Sequence, residues 1–87
     1  MSYGALAKVE VELKDEEMCE VVYRALLPET RSKVTERSKA SIRRLGAKIF
    51  LTIHAKDTTA LRAAMNSYLR FLKVVIDLYD NLKGGML

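Results

Sequence analysis

The sequence predicts an α+β fold of order β-α-β-β-α, with a three-stranded antiparallel sheet and both helices on one face. Three observations carry that prediction. Residues 5–13 and 47–55 alternate apolar and polar positions at period two, the mark of half-buried strands. Residues 16–27 and 57–83 repeat apolar positions at helical spacing. Gly46 separates the second and third strand-like stretches by a turn of hairpin length.

The first strand puts Ala5, Ala7, Val9, Val11 and Leu13 on one face and Lys8, Glu10 and Glu12 on the other. Asp15 can then accept a hydrogen bond from the free amides of a first helical turn, where Glu16 and Glu17 also suit the positive end of the dipole. Met18, Val21, Val22, Ala25 and Leu26 follow at helical spacing. Pro28 is expected to end this helix, because the residue before a proline is disfavoured in helical geometry. The polar run "ETRSKVTE" (29–36) reads as a loop into a strand near 37–44, and the turn is expected at Leu45-Gly46. "AKIFLTIHA" (47–55) is the clearest strand, with Ala47, Ile49, Leu51, Ile53 and Ala55 on one face. The second helix starts with Asp57 or Thr58 as its cap and stops at Gly84-Gly85.

A right-handed first crossover inserts strand three between strands one and two, antiparallel to both. Both helices then cover Val9, Val11, Ala40, Ile42, Ile49, Leu51 and Ile53. The result is a ferredoxin-like arrangement without its last strand. Strand one is left as an edge, which must be blunted or paired with another chain.

The 87 residues suit a single domain, 1–87, without internal linkers, and residues 83–87 are expected to fray. So small a domain is marginal alone and often gains stability by oligomerising. The net charge of +4 leans towards polyanionic partners without requiring one. One cysteine excludes an intrachain disulfide and a cysteine-based zinc site, and fits a reducing compartment. The first dozen residues lack the basic stretch and apolar core of a signal peptide, and no run approaches the ~20 apolar residues of a membrane span. A cytoplasmic, soluble protein without membrane contact is expected.

Signals for catalysis, cofactors or metals are close to absent. The lone histidine, His54, alternates with Phe50 and Thr52 on the open face of the sheet. Cys19 lies beside Met18 in helix one and reads as a packing residue. The only glycine pair is in the tail, so there is no phosphate loop or dinucleotide fingerprint. The expectation is a protein that is not an enzyme, with no cofactor and no metal site.

Two features point to partners. Arg31, Lys33, Arg37, Lys39, Arg43 and Arg44 crowd one stretch, with Lys39 and Arg43 on the open face of strand two. Such a stripe either tracks a phosphate backbone or protects a sheet edge by charge. The second helix carries more apolar residues than one buried face needs. Leu61, Met65, Tyr68, Leu72, Val75, Tyr79 and Leu82 follow four-three spacing, the seam of helix-on-helix packing. Ala60, Ala64, Ser67, Phe71, Val74 and Leu78 form a second line, and Leu69 and Ile76 widen it. Arg62, Asn66, Arg70, Lys73 and Asp77 make a narrow polar ribbon. One line covers the domain's own sheet, and the surplus suits another protein's helices.

"VVYRALLPE" (21–29), the hairpin and "DTTALRAAMNSYLRFLKV" (57–74) together resemble the Pcc family, the small subunit of the KEOPS complex. The most specific positions are Tyr23, Arg24, Ala25, Pro28 and Glu29, with the runs from Ala60 to Ala64 and from Asn66 to Arg70. The resemblance implies a non-catalytic, dimerising scaffold. In that family the two copies bridge two catalytic threonylcarbamoyltransferase subunits, which modify the adenosine next to the anticodon of tRNA, and the small subunit assists tRNA binding. Partner contacts are then expected at Val22, Leu26, Leu27, Leu61, Arg62, Met65, Asn66, Tyr68, Leu69 and Leu72. Auxiliary tRNA contacts are expected at Arg31, Lys33, Arg37, Lys39 and Arg43. The homodimer is expected to use the sheet, either by an edge or by the open face around Phe50 and Thr52. The alternative is an independent small basic nucleic-acid-binding domain.

Overall fold

A computed structural model describes residues 3–32, 34–35 and 37–84 of the chain. Its elements are β1 (Ala5–Glu12), α1 (Glu16–Ser32), β2 (Ser38–Leu45), β3 (Lys48–Ala55) and α2 (Thr58–Gly84). The three strands form one antiparallel sheet of order β1-β3-β2, as the crossover rule requires. Val9 faces Leu51 and Ile42 faces Leu51 from the other side, so the apolar positions of three strands meet on one face.

Burial follows that register. Ile49, Leu51, Ile53 and Ala55 of the central strand are buried, and the alternate residues Phe50, Thr52 and His54 are half-exposed on the open face. Val22, Leu26 and Cys19 of α1 and Tyr68, Leu72 and Tyr79 of α2 close the other face into one core. Asp15 caps α1 by accepting the Met18 N–H at 2.8 Å. Asp57, and not Thr58, caps α2 by accepting the Ala60 N–H at 2.8 Å.

The strand and turn boundaries move by one residue from the sequence reading. Leu13 leaves the strand but stays buried, its N–H donated to the Ala47 carbonyl at 2.8 Å. Leu45 pairs with Lys48, so the hairpin turn is Gly46-Ala47. Gly46 has a φ of +62° and Ala47 has none above zero, the pattern of a type II′ turn with glycine first.

Pro28 does not end α1, which runs one further turn to Ser32. A proline removes one helical donor but does not forbid the turn beyond it, provided other contacts hold that turn. Here Thr30 is buried and donates its hydroxyl to the Leu27 carbonyl at 2.8 Å. The Tyr68 hydroxyl donates to the Glu29 carbonyl at 3.4 Å from the opposing helix. At the far end, α2 continues through Lys83 and Gly84; residues 85–87 lie outside the described residues.

The two helices run antiparallel, pinned at both ends by tyrosines. Tyr79 donates to Glu17 Oε1 at 2.6 Å, and Lys83 lies 3.1 Å from the same oxygen. The hydrogen bond from Tyr79, then that from Lys83, holds the Glu17 carboxyl below its ordinary value of 4.5. The reciprocal bond to Glu17, followed by burial, pushes the Tyr79 hydroxyl up to about 12. A carboxylate favoured in the fold stabilises it above the ordinary carboxylate pKa, and the effect fades as pH falls through the lowered one. The destabilisation caused by Tyr79→Phe, measured by urea unfolding, should therefore be largest near neutrality and shrink as the pH drops below 4.5. An equal loss at every pH would show that the hydrogen bond to Glu17 contributes nothing.

Candidate protein-docking and nucleic-acid interface

The four-three line of α2 is the inward one. Tyr68, Leu72 and Tyr79 are buried, and Leu61, Met65 and Val75 are half-buried against the same core. Four of the expected partner residues are therefore core residues instead: Val22 and Leu26 at 0% and 1% exposure, and Tyr68 and Leu72 at 6% and 7%. The physical reason is that the most regular apolar seam is the one the domain needs to cover its own sheet. Its tyrosines also place their hydroxyls at α1, where they have hydrogen-bond partners. Leu27 is half-buried and packs on the same core.

What remains outside includes Leu69 of the expected partner residues and Leu82, the exposed last member of the four-three line. Leu69 is 38% exposed, Val74 50%, Leu78 55% and Leu82 70%. Phe71 is half-buried beside Val74, where a shallow depression is also bounded by Ser67 and Arg70. Val21 is exposed on α1. The tyrosine contacts set Glu17 against Tyr79 and Glu29 against Tyr68, so Val21 lies level with the turn around Val74 and Val75. Helical rotation puts Phe71, Val74 and Leu78 on one flank of α2 and Leu69 on the other. On the Leu69 flank, Leu61, Arg62, Met65 and Asn66 border a second depression. Between the flanks runs the polar ribbon, where Lys73 and Asp77 pair at 2.9 Å.

The basic residues separate in space. Lys39 and Arg43 project together on the open face of β2, and Arg37 is exposed in the bend before it. Arg31 belongs to the last turn of α1, in the helical layer, and Lys33 lies outside the described residues. Arg44 occupies a covered-face position, half-buried, with its guanidinium 3.8 Å from Glu20 and donating to the Gly46 carbonyl at 2.7 Å. Phe50 and Thr52 sit between the outer strands on the open face. The Arg43 guanidinium lies 5.9 Å from the centre of the Phe50 ring. Tyr3, just before β1, lies 6.3 Å from His54 between ring centres and carries the Lys39 ammonium at 5.4 Å. Tyr3 was not singled out by periodicity, because it precedes the alternating stretch.

Burial pushes the Cys19 thiol up, away from the reactive thiolate, and Cys19 is fully buried. Among the described residues no group of three His, Cys, Asp or Glu side chains is placed to hold a metal ion, and no helix is long and apolar enough to cross a membrane. The arrangement offers surfaces, with apolar flanks on α2 and a cationic, partly aromatic sheet face.

Comparison with known proteins adds three findings. Residues 7–80 match the family model described as Transcription factor Pcc1. The chain is 42% identical over 73 residues to a KEOPS complex subunit Pcc1 of Pyrococcus abyssi (strain GE5 / Orsay), covering 84% of this chain and 89% of that one. The fold matches a chain in the crystal structure of a Gon7-Pcc1 binary complex with a TM-score of 0.82. That match covers 93% of this chain and 99% of the other at 13% identity, a likeness of fold alone.

The division of α2 into a core seam and outer flanks is open to a direct test. Leu72→Ala should cost about 2–5 kcal/mol of unfolding free energy by leaving a core cavity. Leu78→Ala should change it by less than about 0.5 kcal/mol, as exposed positions do. Equal losses in denaturant titrations would mean that the seam is misassigned.

Proposed function

The chain belongs to the Pcc1 family, and from that premise we propose that it is the small, non-catalytic subunit of a KEOPS complex. It acts in the cytoplasm as a scaffold for threonylcarbamoylation of tRNA next to the anticodon. Each copy docks one catalytic threonylcarbamoyltransferase subunit on its helices, two copies join through their sheets, and the pair bridges two catalytic subunits while assisting tRNA binding. The observation that carries this reading is the apolar surface of α2 that the domain's own core leaves uncovered.

Val74 and Leu78 are half or more exposed, and with Phe71 and Val21 they offer a strip across both helices. Two antiparallel helices with an apolar outer strip suit a second pair of helices laid against them, which completes a bundle. Leu61, Arg62, Met65, Asn66 and Leu69 extend the surface around the other flank, where the arginine and asparagine supply hydrogen bonds at its border.

For the homodimer, the β1 edge is better suited than the open face, which is largely polar and charged. β1 has a partner on one side only. Antiparallel pairing of two copies about Val9 sets Lys8 opposite Glu10 of the second copy, and Ala7 opposite its Val11. Such a register keeps polar residues on the open face and apolar residues on the covered face.

One co-purification experiment tests both contacts. Val74→Asp combined with Leu78→Asp should abolish capture of the catalytic subunit while sedimentation still shows a dimer. Lys8→Glu should do the reverse, giving a monomer that still captures the catalytic subunit, and adding Glu10→Lys should restore the dimer. Normal capture by the first variant would remove the docking surface from consideration. An intact dimer in the second would do the same for the edge register.

A further inference from the structure

We propose that the open face of the sheet is a platform for single-stranded RNA, on which bases stack at two aromatic stations. The inference deepens the tRNA-assisting part of the reading above and rests on it for the source of the RNA.

Each station pairs an aromatic ring with a cation from the neighbouring strand or terminus. At one, Phe50 on the central strand lies beside Arg43 of β2, with the guanidinium 5.9 Å from the ring centre. At the other, His54 and Tyr3 are 6.3 Å apart between ring centres, and Lys39 stands 5.4 Å from the tyrosine ring. Phe50 and His54 are on the same face of β3, four residues and therefore about 13 Å apart. Between them the register sets the hydroxyls of Ser41 and Thr52 side by side, groups able to contact a ribose 2′-OH.

Glu10 stands opposite Phe50 in the register, but its carboxylate is drawn to Lys48 at 3.3 Å, and Glu12 lies opposite that same lysine. Lys39 and Arg43 make no ion pair among the described residues and face the stations directly. Phe50, His54 and Tyr3 are each only half-buried. Tyr3 is held in place by donating its hydroxyl to the Thr35 carbonyl at 3.1 Å. A planar ring and an unneutralised cation, presented twice across a strand, are what an unpaired base and its phosphate require. A duplex hides its base faces and would use only the cations, so the aromatic half of each station selects for a single strand.

The test is fluorescence anisotropy with the full chain and a short, unstructured, labelled RNA oligonucleotide, compared with a duplex RNA of the same length. Phe50→Leu should weaken single-strand binding by roughly 5- to 150-fold, the loss of one stacked base, without changing the salt dependence. Tyr3→Leu should act in the same direction at the second station. Lys39→Gln with Arg43→Gln should lower the slope of log affinity against log salt by about 1.4. Circular dichroism of each variant guards against unfolding, and capture of the catalytic subunit should be unchanged in all of them. Wild-type affinity in both aromatic variants, or duplex RNA bound as tightly as the single strand, overturns the platform whatever the capture experiment shows.

Discussion

A mismatch of length governs this molecule. α2 has 27 residues and so spans about 40 Å. The strands beneath it have eight residues each and span about 27 Å. A helix that overruns its sheet cannot be covered by it, and the longest dimension of the chain, 49 Å, reflects the overhang. The tyrosines resolve part of the problem by fastening α2 to α1 at Tyr68 and Tyr79, which gives the overhanging length a second support. They also set the rotation of α2, and that rotation decides which apolar residues are core and which face outwards.

From this rotation the division of labour follows. The seam through Tyr68, Leu72 and Tyr79 closes the core, Phe71 is half-buried at its margin, and Val74 and Leu78 are carried round to the outside. The sheet is similarly divided by its pleat. Its covered face holds Ile49, Leu51 and Ile53, and the open face holds Lys39, Arg43 and Phe50. Three distinct exposures result, namely a helical flank, a strand edge and a sheet face, and each has its own chemistry. The helical flank lies in the opposite layer from the sheet face, whereas the β1 edge borders that face, with Lys8 and Glu10 set against Thr52 and Phe50.

Most of the fold was legible in the residues. Period-two alternation located β1 and β3 to within a residue, and the order of strands followed from crossover handedness. Pro28 misled, because local stereochemistry disfavours the helix there, while the turn beyond it is held by Thr30, which bonds the Leu27 carbonyl within the helix, and by the reach of Tyr68 from α2. The candidate surface was harder. Periodicity showed that α2 has two apolar lines but is blind to rotation about the helix axis. The assignment of Tyr68, Leu72, Val22 and Leu26 to a partner therefore gave way to their burial. The inward seam was still marked in the sequence: it carries tyrosines, whose polar ends need partners at a defined distance. The Tyr3 and His54 contact had no such mark, since it joins residues 51 positions apart through strand pairing.

The central claim is that the outer apolar strip of α2 is covered by another protein. Hydroxyl-radical footprinting, read residue by residue on the chain alone and then mixed with the catalytic threonylcarbamoyltransferase subunit, measures that cover directly. Val74, Leu78 and Phe71 should become protected in the mixture while Tyr68 and Leu72 are unreactive in both states. Unchanged labelling of Val74 and Leu78 in a mixture shown to be associated would contradict it.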